Sequence, residues 1–214
     1  MPIELEQAYT LSFTAASLRP ELARIVAEAF IACRDWDQAK QNVLADNALQ
    51  SRSPASAIRM EREFRRRLQT LTLQQIEILA TAPLDSRCAI AWLSVLKHST
   101  FVFDFSAEVL RGKIEDQDPV MRPSDYENFV TAQAGAHPEL ARLASTTKEK
   151  IRRVMKTMLR EAGIFDNTDG MLTLHRPVLP PDVLTAILSD NRKWLAGFLV
   201  PEAEIFGMRG QQHA

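Results

Sequence analysis

Along most of this chain apolar residues recur at three- and four-residue spacing, the period of helices packed by one face. Leu22, Ile25, Val26, Ala29 and Phe30 follow Ser17 and Pro20, so an amphipathic helix is expected there with Ser17 as its start signal. Asp35 is placed to cap a second helix through Val43 and Leu44, which fades near residues 47–50. Ser53 and Pro54 supply an N-cap and a first helical residue for a third, running to about Leu71, because proline's missing N–H is not needed at that position. Thr72 opens a short helix with Ile76, Ile78 and Leu79, and Pro83 and Asp85 precede an apolar helix holding Trp92, Leu93 and Leu96. Phe101, Phe103 and Phe105 alternate as in a strand, but Val109, Leu110 and Ile114 continue from Phe105 at helical spacing and favour a helix. The acidic stretch 115–118 and Pro119 end it, and Ser124 is the expected cap of a further helix containing Phe129.

Residues 135–138 form the clearest internal break, which divides the chain into an N-terminal helical region, 1–135, and a C-terminal one, 136–214. Past it the layout of the first region repeats: a short helix from Pro138, a polar Ser145-Thr146-Thr147 step with Thr146 or Thr147 as cap, and a long helix to Glu161 stopped by Gly163. Ile164 and Phe165, an Asp-Gly turn within 166–170, and residues 171–174 then read as a β-hairpin. Pro180 and Pro181 introduce a last pair of short helices with Leu184, Ile187, Leu188, Trp194 and Phe198, and the tail after Gly207 is expected to be disordered. The fold class is therefore all-α, a compact helical protein with two helix-turn-helix-like modules, the second winged by the hairpin.

Composition supports that class: among 214 residues, 46% are hydrophobic, 25% are charged and only 7 are glycine, which leaves few helix breakers. The formal net charge of -1 carries no message until its distribution is read. Residues 59–67 hold five arginines against two glutamates, and residues 148–160 hold six basic residues against Glu149 alone. Cys33 and Cys88 lie far apart in apolar helical patterns, as buried thiols of a reducing compartment would. The start of the chain lacks a signal peptide's basic and apolar regions, and no run approaches the ~20 apolar residues that span a bilayer. A cytoplasmic protein without membrane attachment is expected.

On the helix from Pro54, a turn of about 100° per residue places Ala57, Met60, Phe64, Leu68 and Leu71 on one side and Arg59, Arg62 and Arg66 opposite. Such a row of guanidinium forks suits phosphates and guanine edges in a major groove. Ser53 and Ser56 hydroxyls, the helix N-terminus and the preceding Arg52 add a phosphate site. The helix after Thr146 repeats the arrangement, with Ile151, Val154, Met155, Met158 and Leu159 as its apolar stripe and Lys150, Arg153, Lys156 and Arg160 on or beside the other face. Helix and hairpin together make this second module the better candidate, since a winged module straddles the backbone. Against this stands the ordinary reading of arginine-rich helix faces as solvated surfaces, with Glu63 spaced to pair with Arg59 and Arg67. Charge alone also does not separate DNA from RNA.

No catalytic constellation emerges. His98, His137, His175 and His213 lack metal-ligand spacing, and surface or capping roles are their default. Neither a Walker loop nor a GxGxxG motif is present. Glu115, Asp116 and Asp118 trail off a helix into a proline and read as a solvated helix end rather than a nuclease's metal site. Trp36, Trp92, Trp194 and the phenylalanines 101–105 read as core anchors rather than base-stacking platforms. No enzyme activity, metal or cofactor is expected.

Two stretches carry a resemblance. One comprises Asp35-Trp36, then Asn47, Leu49, Gln50 and Arg52, then Ser56, Arg59, Glu63, Arg67 and Leu68; the other comprises His137 to Leu140, Thr147-Lys148, Arg152 and Met158 to Gly163. With these, and from Tyr9-Thr-Leu-Ser-Phe-Thr14 to the last helices, the chain resembles the BrxA family of BREX (bacteriophage exclusion) loci. These are ordinary residues, so the likeness is specific by extent rather than by any one motif. It implies an all-α protein that binds double-stranded DNA in an antiphage system, beside a methyltransferase, an ATPase and a phosphatase-like protein. As DNA-facing residues it implies Arg52, Ser56 and Arg59 in the first module and Thr147, Lys148 and Arg152 in the second. Helical geometry differs on the last two: it sets Lys148 and Arg152 at the edge of the apolar stripe, where they could snorkel, and favours Arg153, Lys156 and Arg160. A monomer is expected. The competing readings are a scaffold whose basic faces dock acidic surfaces of other BREX subunits, and a transcriptional regulator of its own locus.

Overall fold

A computed structural model describes residues 8–168 and 171–208 of the protein. Sequence readings that touch residues 1–7, the Asp169-Gly170 turn, the tail from residue 209 and His213 lie outside the described residues.

Helices dominate, as expected. The first layer comprises α1 (Pro20–Cys33), α2 (Trp36–Ala45), α3 (Pro54–Leu68), α4 (Leu73–Thr81) and the apolar α5 (Leu84–His98), packed on one another. Asp35 caps α2 by accepting from the Gln38 N–H at 2.7 Å, and Ser53 caps α3 by accepting from the Ser56 N–H. Thr72 and Gln75 form a reciprocal capping box on α4. Ser17 does not cap α1: that helix begins after Arg19, held at φ 41°, and the Ser17 hydroxyl instead donates to Glu161 at 2.8 Å.

Residues 100–115 are helical throughout, as α6 (Thr100–Asp104), a π-helical stretch Phe105–Leu110 and α7 (Arg111–Glu115). The expected acidic helix end is locally tied. Asp118 pairs with Lys113 and Arg122, which hold its carboxyl well below the usual range, and Glu115 accepts from the Glu202 N–H. Strand β1 (Val120–Met121) follows, then α8 (Pro123–Gln133). Ser124 sits inside the first turn of α8 rather than capping it; the Asp125 carboxylate takes the Arg122 N–H instead.

Beyond the single-turn α9 (Pro138–Ala141), α10 (Ser145–Glu161) leads into β2 (Phe165–Thr168) and β3 (Met171–Leu174). The hairpin register pairs Phe165 with Leu174 and Thr168 with Met171. β1 adds to its other side, so that β3 is the centre of a three-stranded antiparallel sheet. The turn out of α10 depends on Gly163, whose φ is +70° while the Ile164 N–H reaches back to the Leu159 carbonyl at 2.9 Å. Gly163→Ala meets no steric neighbour but forces a left-handed residue. It is expected to cost about 1 kcal/mol in urea unfolding while leaving the circular dichroism spectrum unchanged.

α11 (Pro181–Asp190) packs on α4 and α5, a 3-10 turn over Arg192–Phe198 packs on α5, and α12 (Glu202–Gly207) closes the chain against that turn. The Trp92 indole N–H donates to the Gly197 carbonyl at 2.9 Å, so one continuous core joins residues from both sides of position 135. Trp36 stacks on Phe30, and Trp194 meets Phe103 edge-on. The two thiols are half-buried rather than buried, and both are free. His137 is buried, not superficial, with its ring stacked on Tyr9 at 3.5 Å between centroids. Among the described residues no helix is long and apolar enough to cross a membrane.

Candidate nucleic-acid interface

Both basic helices turn their apolar stripes inward. Ala57, Phe64 and Leu68 of α3 and Ile151, Met155, Met158 and Leu159 of α10 are buried in the common core. Outward, Arg59, Arg62 and Arg66 of α3 and Lys150, Arg153, Lys156 and Arg160 of α10 are all exposed. None of these seven makes an ion pair with a carboxylate of the described residues, while the inward Arg65 and Arg67 of α3 do. Arg65 reaches Glu61 at 2.7 Å, and Arg67, 1% exposed, reaches Glu63 at 2.7 Å. Glu63 is thus buried on Arg67 and does not neutralise the Arg59 row.

Arg67 and Glu161 tie the two helices to one segment. The Arg67 guanidinium donates to the carbonyls of Phe13, Ala16 and Ser17 at 2.7–2.9 Å. Glu161, at the end of α10, accepts from the Ser17 hydroxyl and, at 2.6 Å, from the Leu18 N–H. The C-terminal turns of α3 and α10 therefore hold neighbouring residues of the same non-helical strap, Phe13 to Leu18.

At their N-termini the helices differ. Ser53 is engaged as a cap with Arg52 exposed beside it, whereas α10 has Ala144 at its N-cap position and no side-chain cap. Thr146 and Thr147 lie within the first turn of α10, exposed, and neither acts as the expected cap. The Thr147 N–H is already given to the Ala144 carbonyl at 3.0 Å, so the two hydroxyls and the Ser145 and Thr146 N–H groups form the arrangement that accepts a phosphate at a helix start. Lys148 and Arg152 sit at the margin of the apolar stripe. Arg152 lies over the Tyr126 ring at 5.8 Å with Glu127 3.6 Å away, and Lys148 borders a cavity with Leu140, Leu143 and Ile151. Sequence reasoning passed over Arg142, exposed at the end of α9 three residues before α10.

Similarity to known proteins extends over most of the chain. The model of the BrxA family matches residues 7–191. A protein of Escherichia coli O9:H4 (strain HS) named BREX protein BrxA is 26% identical over 164 residues, 77% of each chain. One of the same name from Paramagnetospirillum magneticum (strain ATCC 700264 / AMB-1) is 23% identical, over 89% of this chain and 95% of its own. The fold also matches a crystal structure of an uncharacterized protein from Magnetospirillum magneticum. The TM-score is 0.78 and the identity 18%, covering 90% of this chain and 98% of the other.

Proposed function

From the premise that the chain belongs to the BrxA family, we propose that it is a non-catalytic, double-stranded DNA-binding component of a BREX phage-defence system, which helps position other components of that system on DNA. The observation that carries the reading is the sorting of charge on α3 and α10. Cations that face the core are matched by Glu61 and Glu63, while the seven that face outward are left unmatched. In a chain of net charge -1 that sorting concentrates positive potential on two helix faces, which is what phosphate attraction needs. The β2–β3 hairpin that follows α10, extended by β1 into a three-stranded sheet, supports a winged arrangement, with α10 toward the groove and the strands toward the flanking backbone. A monomer acting through both faces would gain from effective concentration even where each face binds weakly.

The test is a fluorescence-anisotropy titration of labelled duplex near physiological salt, on the full chain and on an Arg59→Glu, Arg62→Glu, Arg66→Glu variant. The parent is expected to bind and the variant to bind at least about tenfold more weakly, through loss of phosphate contacts. Equal affinities would remove α3 from the interface. A parent that binds other BREX subunits but not duplex would instead support the scaffold reading.

A further inference from the structure

Arg152 divides an apolar furrow between α8 and α10 into two half-open cavities, of about 180 and 280 Å³, that share Tyr126 and Arg152 as a partition. Their charges differ. The larger is bordered by Glu127 and Glu149 as well as Lys148, so its rim is mixed. The smaller is walled by the rings of Phe105, Tyr126 and Phe165 and by the thioethers of Met121 and Met155. Among the described residues its rim carries Arg122, Arg152 and Lys156 and no carboxylate. Arg122 is occupied by Asp118 at 2.6 Å and Arg152 by Glu127 at 3.6 Å, while Lys156 has no ion-pair partner among the described residues. Burial pushes the Tyr126 phenol up to about 12, so it stays neutral and adds no negative charge.

Aromatic rings and polarizable sulfurs favour a ring in the space between them, and cations at the mouth of an apolar cavity favour an anionic group on that ring. We infer that this cavity is a binding site for a small aromatic carboxylate, its ring seated among Phe105, Tyr126, Phe165 and the two methionines and its charge held by Lys156. Lys156 belongs also to the outward row of α10, so an anion held here neutralises a cation of the duplex-facing surface. Binding itself does not depend on the duplex reading and is measured without DNA.

The experiment uses the full chain with ¹³C-methyl methionine, titrated with 3-phenylpropanoate and, separately, with its neutral isostere 3-phenylpropanamide. Of seven methionines, Met121 and Met155 are expected to shift saturably, with a dissociation constant on the order of a millimolar. The amide, and the acid on Lys156→Gln, should each bind roughly three- to fivefold more weakly, and Met155→Trp, which fills the space, should abolish the shift at Met121. Shifts spread evenly over the methionines, an amide that binds as well as the acid, or undiminished binding in Lys156→Gln would each overturn the assignment. The amide and Lys156→Gln arms hold even if Met155→Trp fails to fold.

Discussion

Replacing Arg67 with alanine is expected to remove about 3–5 kcal/mol of folding free energy, the characteristic cost of deleting one partner of a buried ion pair. Its guanidinium is almost wholly enclosed, and burial pulls its pKa down while Glu63 opposes that pull. It binds Glu63 and three strap carbonyls at once. Alanine leaves a buried carboxylate without its counter-charge and three carbonyls without a donor. Lysine restores a charge but lacks the planar fork, so Arg67→Lys should recover only part of the loss. Urea unfolding of the three proteins checks this; a loss below about 1 kcal/mol in Arg67→Ala would place the pair among ordinary surface contacts. Because the same strap is held by Glu161, the variant also releases α3 from a segment that α10 grips. Its effect on duplex binding should therefore exceed that of removing any single exposed arginine.

The second large effect is expected from Arg153→Glu, Lys156→Glu, Arg160→Glu. Each residue is exposed and makes no ion pair among the described residues, so folding should change by less than about 0.5 kcal/mol per site. Duplex affinity should fall by about a hundredfold or more, taking about 1 kcal/mol per lost phosphate contact and adding the repulsion of the introduced carboxylates. A thermal melt like the parent's together with a hundredfold loss would separate interface from stability. A melt like the parent's with unchanged affinity would remove α10 from the interface.

The helical period located nearly every helix, and side-chain caps at Asp35, Ser53 and Thr72 marked starts where polar residues stand directly before apolar ones. It misled at Ser17, Ser124 and Thr146 or Thr147. There a hydroxyl residue lies near a helix start without capping it: Ser17 is drawn to Glu161 while α1 has no side-chain cap, the Asp125 carboxylate takes the Arg122 N–H before α8, and α10 has no side-chain cap. β1 was illegible because two residues after a proline carry no period, and their pairing with Thr173 and Leu172 is decided by the sheet. The π-helical stretch left no mark because the phenylalanine spacing suits either helix.

For the candidate interface, the outward rows of α3 and α10 follow directly from the apolar stripe, and exposure agrees with it. Counting charge along the chain could not separate Arg67 from Arg66, which are adjacent in sequence but face opposite environments. The clue was positional: Arg67 lies three residues after Phe64 and four before Leu71, on the apolar side, where an arginine needs a buried acid such as Glu63. The Arg152 contact with Tyr126 was partly legible, since the stripe already set Arg152 at its margin, but Tyr126 comes from another helix and no local pattern names it.

The measurement that tests the reading most directly is the log–log dependence of duplex affinity on salt, for the parent and for the Arg153, Lys156, Arg160 charge-reversal variant. Each neutralised phosphate contributes about -0.9 to that slope, so the parent should fall steeply and the variant's slope should be shallower by about three. Parallel slopes for the two proteins, or a parent whose affinity does not change with salt, would contradict the assignment of these outward cations to DNA.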